Sequence, residues 1–158
     1  MIRDWLTPDK INVINAIDNW KNAIRLSAEP LLAQGYMAEH YIEAIFKSHE
    51  EFGPYYLLAP GLAMPHARPE QGALRNGLSL LHIKEGISFG STENDPVYVV
   101  IMLCACSGNE HITMIGELAE LFSDRQKLER LLGNDSNLLI VFYVQIVPDD
   151  FVMQLHRF

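Results

Sequence analysis

Cysteine is scarce: Cys104 and Cys106 are the two thiols in 158 residues, too few for the disulfide framework on which small secreted domains rely. Two positions apart on an extended segment, they point the same way and would pair with each other only under strain. Basic residues are also in short supply. Twelve Lys and Arg stand against twenty Asp and Glu, giving a formal charge of −8 and a pI near 5.1. No basic footprint is left to neutralise nucleic-acid phosphates or an anionic membrane, although a small anion site needs only a few local donors. Long hydrophobic runs are missing too. The longest, residues 97–106 and 138–144, fall far short of the roughly 18 apolar residues of a membrane-spanning helix. The opening Met1-Ile2-Arg3-Asp4-Trp5 lacks the basic-then-apolar layout of a secretory leader. With no repeat and no Pro/Gly/Ser-rich linker, these features predict one domain over residues 1–158 in a reducing, cytoplasmic setting.

What the chain does have is a core: 49% of its residues are hydrophobic. Residues 11–17 read as a strand, after which Asp18 or Asn19 offers a helix N-cap. Trp20, Ile24, Ala28 and Leu31 then recur at near-helical spacing. Pro30 is expected to bend or interrupt this helix and Gly35 to end it. A second helix is predicted over residues 38–52, with Tyr41, Ile42, Ile45 and Phe46 inward and Gly53-Pro54 as its stop. Residues 56–59, 62–64, 78–83 and 97–106 read as strands. The last is apolar on both faces, as suits a central strand with helices on each side. A helical pattern follows Ser107-Gly108-Asn109, with Ile112, Ile115, Leu118, Ala119 and Phe122 as its apolar stripe. A short helix over residues 124–132 capped by Gly133, and a strand over residues 138–147, complete the expectation of an α/β sandwich with a mixed sheet.

Five clusters bear on chemistry. Gly86-Ile87-Ser88-Phe89-Gly90 matches G-x-S-x-G, but that elbow needs a helix after the serine. The loop Ser91-Thr92-Glu93-Asn94-Asp95-Pro96 follows instead, so a turn between strands is expected. Cys104 and Cys106 near His111 lack the further ligands of a zinc site, and buried reduced thiols on a core strand are expected; no metal or cofactor is predicted. In Ala59-Pro60-Gly61-Leu62-Ala63-Met64-Pro65-His66-Ala67-Arg68-Pro69-Glu70, Pro65 stops a short strand and presents His66 at its end, with Arg68 as a fixed cation two residues on. On this pattern alone His66 is as readily a structural histidine as a functional one. Ser107-Gly108-Asn109-Glu110-His111 opens a helix, where free amides and the positive helix end favour an oxyanion. His49-Glu50-Glu51 reads first as an exposed charge cluster.

Leu62-Ala63-Met64-Pro65-His66-Ala67, preceded by Glu51 and Leu58-Ala59 and followed by Asn109-Glu110-His111, resembles the mannitol/fructose-type enzyme IIA of the bacterial sugar phosphotransferase system. Phe52-Gly53-Pro54-Tyr55-Tyr56 through Arg68-Pro69-Glu70 looks most like its L-ascorbate branch. The resemblance runs from about residue 11 to about residue 132 and includes Gly86-Ile87-Ser88-Phe89-Gly90 as the turn before an acidic loop. It implies a three-layer sandwich with a central mixed β-sheet flanked by helices. It also implies a phosphotransferase that accepts phosphate from phosphorylated HPr on His66 and passes it to a cysteine of enzyme IIB, with membrane enzyme IIC carrying the sugar. His111 matches the family's second histidine, and His111 with the amides of Gly108, Asn109 and Glu110 would hold the phosphoryl oxygens. Leu62, Met64 and Pro69 are expected as an apolar docking rim.

Many relatives carry an arginine near the end of the second helix, where this chain has His49, so either His49 or Arg68 would supply the positive charge. Family members usually end in an amphipathic helix, which the β-branched segment 138–147 does not match. The other expected function is a phosphohistidine switch of the nitrogen-regulatory enzyme IIA kind. The transported sugar and the oligomeric state, a homodimer included, are left open by the sequence.

Overall fold

A computed structural model describes residues 2–126 of the chain. The expected elements beyond residue 126 therefore lie outside the described residues: most of the 124–132 helix and the 138–147 strand. A short helix α1 (Ile2–Trp5) and a 3-10 turn (Pro8–Lys10) lead into strand β1 (Ile11–Ile14), helix α2 (Trp20–Ala33) and helix α3 (Glu39–Phe52). Strands β2 (Leu57–Ala59) and β3 (Leu62–Ala63) follow, then a 3-10 turn at Pro69–Gln71, the long strands β4 (Gly77–Ile87) and β5 (Val97–Cys104), and helix α4 (Gly108–Phe122).

The five strands form one mixed sheet in the order β1-β4-β5-β3-β2. Strand β5 pairs antiparallel with β4 and parallel with β3. Both of its faces are buried, as its unbroken apolar run requires. Val97, Val100, Met102 and Cys104 pack with the inward faces of α2 and α3, whereas Val99, Ile101 and Leu103 pack with Met114 and Leu118 of α4 and with Leu6 after α1. This is the expected three-layer arrangement.

Local chemistry explains both ends of α2. The Asn19 side chain accepts from the Asn22 amide at 2.8 Å and caps α2. At the other end the Gly35 amide donates to the Leu32 carbonyl and the Tyr36 amide to the Leu31 carbonyl, with Gly35 at φ +77°. Pro30 lies inside α2 without interrupting it. It stands in the last turn, where it removes one intrahelical donor, and its own carbonyl still receives the Gln34 amide.

Helices α2 and α3 are joined by Lys21–Glu50 and by Arg25 to Glu39 and Glu43. These pairs are roughly half exposed and contribute about 0–1 kcal/mol each. Burial of Ile24, Leu31, Ile42 and Ile45, all fully buried, contributes roughly 1.5–3 kcal/mol per side chain and decides the packing.

Three further expectations change. Strand β5 ends at Cys104, so Cys104 is buried but Cys106 is exposed. In α4, Ile112 and Ala119 face outward, and Met114 takes the inward place beside Ile115, Leu118 and Phe122. Leu62 and Met64 are core residues with no surface to offer a partner. The Gly86–Gly90 stretch does lead into a loop: Ser88 donates to Asp95 and Phe89 is fully buried.

Gly77 opens β4 where a Cβ would stand 2.6 Å from the Tyr36 ring and 3.1 Å from Leu31. Gly77→Ala should therefore lower the unfolding free energy by about 1–3 kcal/mol through overpacking. Urea denaturation checks this, and an unchanged midpoint would contradict it.

Candidate functional site

The segment after β3 cannot extend the sheet in the ordinary way, because Pro65 has no amide hydrogen. It is held by unlike partners instead. The Met64 amide donates to the Tyr56 carbonyl at 2.9 Å, and the Pro65 carbonyl receives the Leu103 amide of β5 at 3.1 Å. Tyr41 of α3 is fully buried and therefore needs partners for its hydroxyl. It donates to the Leu103 carbonyl at 2.6 Å and accepts from the Ala67 amide at 3.0 Å. Burial pushes the Tyr41 pKa well up, so the phenol stays an O–H donor.

His66 sits in the middle of this frame, half-buried on the wall of a cleft of about 1000 Å³. Its Nδ1 lies 2.7 Å from the Met64 carbonyl oxygen. A carbonyl only accepts, so Nδ1 carries the proton. In the neutral ring Nε2 then holds the lone pair. Burial lowers the His66 pKa and the neighbouring His111 lowers it further, while the Met64 bond opposes both. The ring is accordingly neutral and nucleophilic at neutral pH.

His111 comes from the first turn of α4 and meets His66 at a centroid distance of 5.1 Å with the rings inclined at 64°. Its Nδ1 is buried without a hydrogen-bond partner among the described residues, so Nε2 is the nitrogen available to the cleft. Burial lowers its pKa as well. Ser107 caps α4 by accepting from the Glu110 amide at 3.3 Å. The amides of Gly108 and Asn109 lie in the unpaired first turn, where the helix end carries about half a positive charge. Gly108 lines the cleft with His66, Arg68 and His111.

The remaining expected residues separate. Arg68 is exposed on the cleft wall, and no ion pair holds it among the described residues. Asn109 and Glu110 stand at the α4 start but do not line the cleft, and Glu110 accepts from Ser107 at 3.4 Å. His49 turns away. It follows Tyr41, Ile42, Ile45 and Phe46 on the core side of α3, stacks on Trp20 at 3.7 Å and shares a 2.5 Å hydrogen bond with the Tyr56 hydroxyl. Glu43, Lys47 and Glu51, on the other side of α3, face the cleft. Among the described residues no group of three His, Cys, Asp or Glu side chains converges as a metal site, and no helix is long and apolar enough to cross a membrane.

The family model described as the phosphoenolpyruvate-dependent sugar phosphotransferase system, EIIA 2, matches residues 4–142. The chain belongs to this family. The mannitol-specific cryptic phosphotransferase enzyme IIA component of Escherichia coli is 42% identical over 135 residues, covering 85% of this chain and 91% of that protein. The ascorbate-specific phosphotransferase EIIA component of Escherichia coli is 36% identical over 132 residues, covering 82% and 86%. A solution structure of the mannitol-specific cryptic enzyme IIA from Escherichia coli matches with a TM-score of 0.80 at 39% identity, over 97% of this chain and 98% of that one. The mannitol enzyme IIA of Escherichia coli, solved in complex with phosphorylated enzyme IIB, matches with a TM-score of 0.74 at 26% identity, over 88% and 94%. This enzyme IIA is thus a phosphotransferase of a sugar-transport system.

The sequence placed the apolar rim of this enzyme IIA mostly on the wrong residues. Phe52 and Ile112, 73% and 70% exposed, flank the cleft; of the rim residues expected, Pro69 lines it. The available signal was Phe52 at a helix end and Ile112 one residue past His111, which falls outside the stripe running through Met114, Leu118 and Phe122.

Because burial lowers the His66 and His111 pKa values, the folded protein favours their neutral forms. Below about pH 6.5 the unfolded chain binds protons that the folded one resists, so stability is full above that pH and falls as pH drops through the depressed folded values. NMR titration of the His66 ring protons should give a midpoint below the ordinary histidine value, and a midpoint at or above it would contradict the assignment.

Proposed function

We propose that this enzyme IIA carries a phosphoryl group on Nε2 of His66, taking it from phosphorylated HPr and passing it to a cysteine of an enzyme IIB in the cytoplasm. The observation that carries this reading is the Nδ1 bond to the Met64 carbonyl, which leaves the second nitrogen as a fixed lone pair in a cleft with His111 and Gly108. In the first step the Nε2 lone pair forms a bond to phosphorus. The donor's P–N bond breaks, and its electron pair returns to the donor imidazole. His66 keeps its Nδ1 proton, so the phosphorylated ring is cationic and its bond to Met64 becomes charge-assisted.

In the second step a thiolate attacks phosphorus, the P–Nε2 bond breaks, and the pair returns to Nε2. The starting tautomer is restored without a net proton change. Such transfers pass through a loose transition state that rewards positioning and charge stabilisation. His111 and the first amides of α4 serve the equatorial oxygens, and Arg68, not His49, supplies the nearby cation, because His49 is stacked against Trp20. Enzyme IIB as acceptor is supported by the mannitol enzyme IIA neighbour, which was solved with phosphorylated IIB. Phe52 and Ile112 form an apolar docking rim suited to brief contact with two partners in turn. For the cargo we propose L-ascorbate or a related sugar, moved by a membrane enzyme IIC. The ascorbate-specific relative supports this, and the mannitol-specific relative is the competing assignment.

His66→Ala should abolish acid-labile phosphate uptake from phosphorylated HPr with the fold intact, as read by mass spectrometry; persisting label would refute the site. His111→Ala should still accept phosphate but pass it to enzyme IIB on the order of tenfold to a hundredfold more slowly, measured by single-turnover transfer. If no enzyme IIB drains the wild-type phosphate, the regulatory switch is the better reading.

A further inference from the structure

We propose that Tyr55 is a positioning residue for transfer at His66, its hydroxyl holding the His66 carbonyl and its ring bracing the imidazole edge-on. The proposal rests on His66 being the phosphoryl carrier.

Helix α3 stops at Phe52, and Gly53 at φ +83° turns the chain back, a conformation that glycine adopts without a Cβ penalty. The Tyr55 amide donates to the Gly53 carbonyl at 2.8 Å, tightening that turn. Consecutive tyrosines then part company. Tyr56 enters the core and is fully buried, whereas Tyr55 is 42% exposed on the cleft wall. The two rings meet at 5.0 Å and 77°, so the outer ring leans on a fixed inner one. From there the Tyr55 hydroxyl donates to the His66 carbonyl at 2.5 Å, and its ring meets the imidazole at 5.7 Å and 86°. Burial raises the Tyr55 pKa, so the phenol remains a donor across the range in which His66 is neutral.

The partners on either side of this bond show why it concerns orientation. Pro65 and Ala67 are tied to β5 and to Tyr41 in the core. The His66 carbonyl lies between them at the exposed edge, where water would satisfy it at little cost to stability. What water would not supply is a rigid group that touches the carbonyl and the ring of the same residue. With the hydroxyl gone, the His66 peptide can rock between its two anchors. The Nδ1–Met64 contact then loosens, and the unproductive tautomer, with the proton on Nε2, gains population.

The test compares wild type, Tyr55→Phe and Tyr55→Ala with two donors, phosphorylated HPr and the small donor phosphoramidate. With phosphoramidate, the His66 Nε2–P bond replaces the donor P–N bond and ammonia leaves. Tyr55→Phe should slow uptake about fivefold from both donors, with KM for HPr and the urea midpoint unchanged. Two-bond 1H–15N spectra should show a new Nε2–H signal for His66. Tyr55→Ala, which also loses the ring, should be slower still.

Wild-type rates and spectra in Tyr55→Phe would overturn the proposal. So would a loss confined to KM for HPr, which would make Tyr55 a docking contact, or a loss that tracks the urea midpoint, which would make it structural. His66→Ala run alongside separates the two claims: if it still takes label, the carrier reading itself fails.

Discussion

On the proposed reading, the hydrogen bond from His66 Nδ1 to the Met64 carbonyl turns an ordinary imidazole into a directed nucleophile. Free histidine in water divides its proton between two nitrogens and turns freely about its side-chain bonds. Here the carbonyl two residues back accepts a hydrogen bond from Nδ1 and so fixes the tautomer, the ring orientation and the nitrogen left with a lone pair. Burial beside His111 keeps the ring uncharged, so that its lone pair is available. A phosphorylated ring would strengthen the same bond, since its N–H becomes more acidic as the ring gains positive charge.

That bond is useful only if Met64 itself does not move, and the fold provides for this. Met64 is buried against the α4 side of the sheet, its amide is fixed by Tyr56, and the next carbonyl is fixed by Leu103. Tyr41 reaches from α3 to join Leu103 and Ala67, so one buried phenol ties a helix, the central strand and the His66 segment together. The proline that breaks the ladder at Pro65 is therefore compensated on both sides. Across the cleft, α4 brings His111 and Gly108 to the same space from the end of the same central strand. The proposed phosphoryl site lies between two chain segments that leave adjacent parallel strands, β3 and β5, at their C-terminal ends.

Much of this was legible in the residues, for physical reasons that differ from case to case. The two-sided burial of β5 could be read because nothing polar interrupts residues 97–106. The α2 cap and the α3 core face could be read because Asn19 and the Tyr41-Ile42-Ile45-Phe46 spacing are local signals. His66 stood out because Pro65 ends its strand. What stayed hidden depended on geometry across the chain. His49 continues the Tyr41-Ile42-Ile45-Phe46 face, but its partners there, Trp20 and Tyr56, come from α2 and from the turn before β2, and its acidic neighbours masked that face. Ile112 carries the hydropathy of a core residue, but its place on the helix turns it to the rim. Cys106 reads as a strand residue until the Asn76 side chain takes its amide at 2.9 Å just past the end of β5. Tyr55 gives no sequence signal apart from Tyr56, although one lines the cleft and the other fills the core.

The central claim concerns one atom, and it can be checked at that atom. Phosphorus-coupled 15N spectra of the phosphorylated protein, with its histidines labelled, report which ring nitrogen carries the phosphoryl group. The account predicts coupling at Nε2 of His66, with the proton retained on Nδ1; phosphorus bonded to Nδ1, or to any other residue, would contradict it.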